Sequence, residues 1–229
     1  MNSKAAGVSP PRATKRTAKS QVTIERILEA ARELFNDEGT AAVSTNRIAA
    51  AAGLSPGNLY YHFADKQQII RSLHGRFAAA HEQHWQADPG SSASLEALRS
   101  NVLTGVELAW QYRFLQREIL ALLRADPLLL ADYRELYERR LSQWRGFAEQ
   151  LVAKGLISAP RSPRTLDDLT TATWLIAENW LAFLDVTGDP NDPAQVARGA
   201  DLLEIVFDPY LTELGRQQWR ASLPPTSTP

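Results

Sequence analysis

Within one short stretch of this chain, Gly57, Asn58, Tyr60, Tyr61 and His62 present small or flat hydrogen-bonding groups with no carboxylate among them. That set suits base edges and phosphate oxygens, whereas a carboxylate would repel the phosphates. Asparagine pairs with adenine through two hydrogen bonds, and a glycine lets a second molecule come close to the backbone. The chemistry these residues point to is recognition of a duplex rather than bond breaking.

Other candidate chemistries are thinner. His74, His81 and His84 lie near one helical stripe, but Glu82 is the one acid close to them, and solvated or core histidines are far commoner than metal ligands. No metal or cofactor is expected. The chain has no cysteine, which excludes thiol catalysis, thiolate metal sites and disulfides. It also lacks a convincing Ser-His-acid set and a glycine-rich phosphate loop, so no catalytic residue is assigned and the chain is not read as an enzyme.

The elements that must hold the polar face are legible. Ser44 is a capping residue for a first short helix, in which Ile48, Ala49 and Ala52 share a face, and Gly53 supplies the left-handed conformation that stops it. Leu54 packs the corner. Ser55 caps a second helix and Pro56 stands in its first turn. Leu59 and Phe63, four apart, must both point inward, which leaves the polar set outside. This is a helix-turn-helix pattern. A supporting helix over Thr23 to Glu38 precedes it, with Ile24, Ile27, Leu28, Ala31, Leu34 and Phe35 at helical spacing and Gly39 at its end. The next helix opens near Asp65 and runs to about Trp85.

The run from Thr23 to Lys66, with AARELF, a glycine-bearing turn and RIAAAAGLSPGNLYYHF, resembles the DNA-binding domain of the TetR family of bacterial transcriptional regulators. The resemblance implies an all-α protein: a three-helix DNA-binding domain, then a larger helical bundle that binds an effector and dimerises. It implies repression relieved by a small molecule. On this reading Gly57 and Asn58 lie closest to base edges, while Thr45, Tyr60, Tyr61, His62 and Lys66 hold phosphates, with Ser55 and Pro56 opening the recognition helix. Two departures stand out. Arg47 occupies the position where a carboxylate would complete a capping box, and Pro56 stands where family members often carry a basic residue.

Charge divides along the chain. Residues 1–71 hold ten Lys or Arg against six Asp or Glu, while residues 72–229 hold fifteen against twenty, although the whole chain sums to −1. The basic end is where DNA belongs. Residues 1–20 carry five Lys or Arg and no acid, reading as a disordered arm for phosphates or the minor groove, or else as a solubilising tail. The expected divisions are this arm, a helix-turn-helix domain over 21–66, an effector and dimerisation domain over 67–221, and a flexible tail over 222–229. No apolar run is long enough to span a bilayer, so a cytoplasmic location is expected.

Beyond a loop over Gln86 to Ala93, helices are expected from Ser94 to about Tyr112, from Arg113 to Arg124 and from Asp126 to Gly155. A break with two prolines follows over Ile157 to Arg164. A nearly all-apolar helix follows over Thr165 to Thr187, and a last one runs from Pro193 past Leu214, bent by Pro209. These two, paired with a symmetry mate, predict a four-helix dimer interface. A palindromic operator would follow from the two-fold axis. Trp110, Phe114, Trp144 and Trp174 are candidates for lining an effector pocket, though aromatics at helical spacing are more often core. Glu178 interrupts an apolar run; either a cationic ligand meets it, or an arginine or water at the dimer interface does. The competing function is an architectural or cell-cycle DNA-binding protein of the same fold without a ligand.

Overall fold

Side-chain caps set most helix boundaries. The computed structural model describes residues 18–86 and 93–222. Most of the expected basic arm, six residues of the expected loop, and the tail from residue 223 lie outside the described residues. Among the described residues ten α-helices follow in order: α1 Ala18–Ala42, α2 Thr45–Ala51, α3 Pro56–His62, α4 Lys66–Gln86, α5 Leu95–Gln111, α6 Arg113–Ala125, α7 Pro127–Ala153, α8 Leu166–Thr187, α9 Pro193–Phe207 and α10 Glu213–Ser222. Ser44 accepts from the Arg47 N–H at 3.3 Å and Ser55 from the Asn58 N–H at 3.3 Å. Asp126 accepts from the Leu128 and Leu129 N–H groups at 3.0 and 3.2 Å, with Pro127 beginning α7 as expected. Thr165 and Asp168 form a reciprocal capping box at the start of α8. Among the described residues the fold is all-α, with one isolated β-bridge between Ile157 and Leu211.

Gly39 breaks α1 near its end, at φ 79 and ψ 158, a conformation that suits glycine. A β-carbon there would also meet Glu118 Oε1 at 2.9 Å.

The end of the chain corrects the sequence reading. The last helix does not continue through Leu214; it stops at Phe207, a 3-10 turn covers Asp208–Tyr210, and a separate α10 starts at Glu213. Pro209 has no N–H to continue the helix and its ring would clash with the preceding turn. Leu211 therefore leaves the expected stripe and is buried against Ile157, while Leu214 stays half exposed.

Three clusters of buried side chains hold the helices together. The first joins α1 to α4 with Phe114, Leu115, Ile119, Leu122 and Leu123 of α6 and Leu129 of α7. The α2 to α3 segment is thus packed directly on the helices behind it. A second cluster gathers Leu95, Leu98, Leu151, Leu156, Ile157 and Leu211, and a third joins Ala109, Leu181, Leu184 and Val196. Helix α8 packs against α6, α7 and α9 and still leaves Leu175, Phe183 and Val186 exposed along one stripe. Ile205 of α9 is exposed as well.

Candidate functional site

Helix α3 spans seven residues, Pro56–His62, and two side chains position it. Leu59 is fully buried and Phe63 nearly so, which turns the opposite face outward. On that face Ser55, Pro56, Gly57 and Asn58 are exposed, and Tyr60 and Tyr61 are 50% and 82% exposed. Nothing lies within 4 Å of where a Gly57 β-carbon would stand. The Thr45 hydroxyl and the Tyr60 phenol lie 2.8 Å apart, tying α2 to α3, and the Tyr61 and His62 rings meet edge to face at 5.0 Å.

The corner between α2 and α3 is held by Gly53, at φ +65, and by Arg26 of α1, whose guanidinium donates to the Ala52 carbonyl at 2.5 Å.

The neighbouring cations are already occupied. Arg47 grips the Glu38 carboxylate through two contacts of 2.6 Å, which keeps that carboxyl below its ordinary range. Lys66 donates to the Thr40 and Val43 carbonyls at 2.6 and 3.0 Å. An ammonium has three N–H donors, so Lys66 keeps one for an outside acceptor.

The second candidate region is a cavity of about 120 Å³ enclosed by α4 to α9. Trp144, Trp174 and Glu178 line it, as the sequence suggested; Trp180, Phe77, Val106, Leu203 and Phe207 add apolar wall, and Arg140 and Gln116 add polar groups. Two expected residues do not reach it. Phe114 is 1% exposed and packs on Phe35 at 5.3 Å, in the core shared with α1 to α4. It follows directly on the α5 to α6 junction, which turns its side chain toward α1. Trp110 lines a separate, shallower groove with Leu103, Pro193 and Val196.

Glu178 meets groups of its own chain. Burial raises its carboxyl to about 7, against the opposing pull of Arg140 and a hydrogen bond with Tyr133. Burial likewise raises Tyr133 to about 12, with the Glu178 charge adding to the effect, and lowers Arg140 to about 10. The Arg140 guanidinium stands 5.6 Å from the Phe77 ring and 5.9 Å from the Trp174 ring. His74, one of the three histidines, is a core side chain whose burial lowers its pKa; His81 lines the cavity, and the His84 side chain lies outside the described residues. No cluster able to hold a metal occurs among the described residues.

Sequence reasoning missed Asn36. It is 5% exposed, donates to the Gln111 carbonyl at 2.8 Å and accepts from the Phe114 N–H at 3.1 Å. Arg32 donates to the same Gln111 carbonyl, Arg113 pairs with Asp37 at 2.9 Å, and Glu118 accepts from the Thr40 N–H at 2.9 Å. Helix α6 is thereby bound to α1 on one side, while its Gln116 lines the cavity on the other. The polar residue at a helical position facing another helix was the available signal.

Comparison with known proteins decides the family. The profile described as "Bacterial regulatory proteins, tetR family" matches residues 27–73, and the TetR profile described as "Bacterial transcriptional repressor" matches residues 76–219. The chain belongs to the TetR family. A solved TetR-family transcriptional regulator from Marinobacter aquaeolei VT8 is 31% identical, with a TM-score of 0.77, covering 87% of this chain and 96% of that one. The HTH-type transcriptional regulator UidR of Escherichia coli (strain K12) is 41% identical over 54 residues, which is 24% of this chain and 28% of UidR. The HTH-type transcriptional regulator SrpR of Pseudomonas putida is 30% identical over 94 residues, 41% of this chain and 44% of its own length. These curated matches thus span less than half of either relative. TetR-family members are transcriptional regulators rather than enzymes, and this chain is a regulator of that helix-turn-helix type.

Proposed function

We propose that this chain is a cytoplasmic repressor that binds a palindromic operator as a homodimer and lets go when a small molecule fills the cavity of α4 to α9. Residues 21–66 read DNA, and residues 67–221 bind the effector and dimerise. The observation that carries the DNA half is the exposed, acid-free face of α3, held out by buried Leu59 and Phe63. Asn58 and the bare backbone of Gly57 meet base edges. Thr45, Tyr60, Tyr61, His62 and the free donor of Lys66 meet phosphates, with Ser55 and Pro56 at the helix start.

One helix of this length covers too few base pairs to define a site, so a second copy is needed at the spacing of a helical turn. The exposed apolar stripe of Leu175, Phe183 and Val186 on α8, beside Ile205 on α9, suits a two-fold four-helix contact. The cavity, an apolar and aromatic wall carrying Arg140, Gln116 and Glu178, favours a ligand-responsive regulator over an architectural protein. Helix α6 is the route between the two halves: Gln116 lies at the cavity, and Arg113, Phe114 and Glu118 grip α1.

Selection from a random DNA pool with the purified chain tests the reading. It should enrich an inverted repeat with half-sites about one helical turn apart; enrichment of a single unrepeated site, or of none, overturns it.

A further inference from the structure

Two residues that line the cavity, Arg140 and Gln116, each carry a buried polar atom without a hydrogen-bond partner. Arg140 Nη2 and Gln116 Oε1 make no hydrogen bond, and each residue is 8% exposed. The Gln116 amide is oriented unambiguously, because its nitrogen donates to the Ala177 carbonyl at 3.1 Å. A buried donor on a cation and a buried neutral acceptor are both costly when unpaired. They specify what an occupant must bring: an acceptor for the guanidinium and an N–H or O–H for the amide oxygen.

The pairing of charges selects the sign of that acceptor. Arg140 and Glu178 face the same space, yet they do not satisfy one another, since Glu178 is engaged by Tyr133 and Arg140 keeps a bare N–H. Glu178 has a donor in Tyr133, whereas the guanidinium of Arg140 has the Phe77 and Trp174 rings beside it but no acceptor for Nη2. The unmet demand is therefore for an acceptor at a cation. A cationic ligand would not supply it; an anion would. The remaining wall, built from Phe77, Trp144, Trp174, Trp180 and Phe207, is apolar and aromatic.

We propose that the cavity takes a monocarboxylate on an apolar body, its carboxylate seated on Arg140 and a hydroxyl or amide N–H of the ligand donating to Gln116 Oε1. This rests on reading the cavity as the effector site, and it names the class of effector.

Calorimetric titration of the full chain with two matched series decides the question: 2-naphthoate, 2-naphthamide and 2-naphthylmethylamine, and octanoate, octanamide and octylamine. At least one acid should bind about tenfold or more tightly than its own amide and amine, as a charge-assisted hydrogen bond provides. Arg140→Gln should erase that preference and Arg140→Lys should retain part of it, with helical circular dichroism reporting that each variant is folded. 6-Hydroxy-2-naphthoate should bind more tightly than 2-naphthoate, and Gln116→Leu should remove the difference. The proposal is overturned if amides or amines bind as tightly as the acids, if no acid binds, or if folded Arg140→Gln keeps the preference. Operator affinity measured alongside separates the two claims. Acids that bind through Arg140 without changing DNA affinity would leave the pocket chemistry standing and remove its role as effector site. Operator binding with no acid binding would do the reverse.

Discussion

Lys66 ties the end of α1 to the start of the recognition pair, and its removal should show in stability as well as in binding. Lys66→Ala leaves the Thr40 and Val43 carbonyls without their donor, which should cost about 1–3 kcal/mol in urea unfolding and weaken binding to every DNA sequence alike. Asn58→Ala touches no internal partner through its side chain, so unfolding should be unchanged while discrimination at one base pair falls by about 1–3 kcal/mol. An anisotropy titration across single-base operator variants checks both. The types and outward direction of these residues were legible because Leu59 and Phe63 fix the helix face by spacing alone. The second role of Lys66 was not, since it depends on two carbonyls far away in sequence. Arg140 and Gln116 were equally hidden. Arg140 stands among charged neighbours, Glu138 and Arg139, and only the packing of α6 and α8 against α7 makes it interior.

Between helices, the approach of α8 and α9 is set by Gly199, whose β-carbon would lie 2.6 Å from Trp180 Cδ1. Gly199→Ala should force the pair apart and cost about 1–3 kcal/mol in urea unfolding. Glu178 gives α8 a pH dependence. Its folded value, about 7, lies above its ordinary 4.5, so the folded chain holds the proton more tightly between those values. Stability from this group is then greatest below about 4.5, falls as pH rises to about 7, and is flat above. Compared with the parent, Glu178→Gln should flatten the decline between pH 5 and pH 8 in parallel unfolding curves; equal slopes would contradict it. Arg140 and Tyr133 of α7 are the charged and titratable groups that face this carboxyl and modulate it. The caps Ser44, Ser55 and Asp126 made the starts of α2, α3 and α7 readable. Helix α10 escaped because apolar positions continue in helical register past Pro209, while the turn that redirects the chain is stabilised by a distant partner, the Ile157 to Leu211 bridge.

At the scale of the whole molecule, the exposed stripe on α8 is the surface on which the proposed dimer rests. Val186 is 84% exposed at the end of a helix otherwise embedded on three sides. Val186→Arg should turn a dimer into a monomer by light scattering and weaken operator binding at least about tenfold, with unchanged helical content. A monomeric parent would remove the basis for the palindrome.

One bare spot on the recognition helix has an outcome opposite in sign to an ordinary mutation. The space beside Gly57 is empty within the chain, and the residue sits inside α3, so folding gains nothing from the missing methyl. Gly57→Ala should raise the thermal midpoint, worth about 1 kcal/mol of helix preference, while operator affinity falls. A sturdier protein that holds its target less firmly is what a backbone left uncovered for another molecule produces.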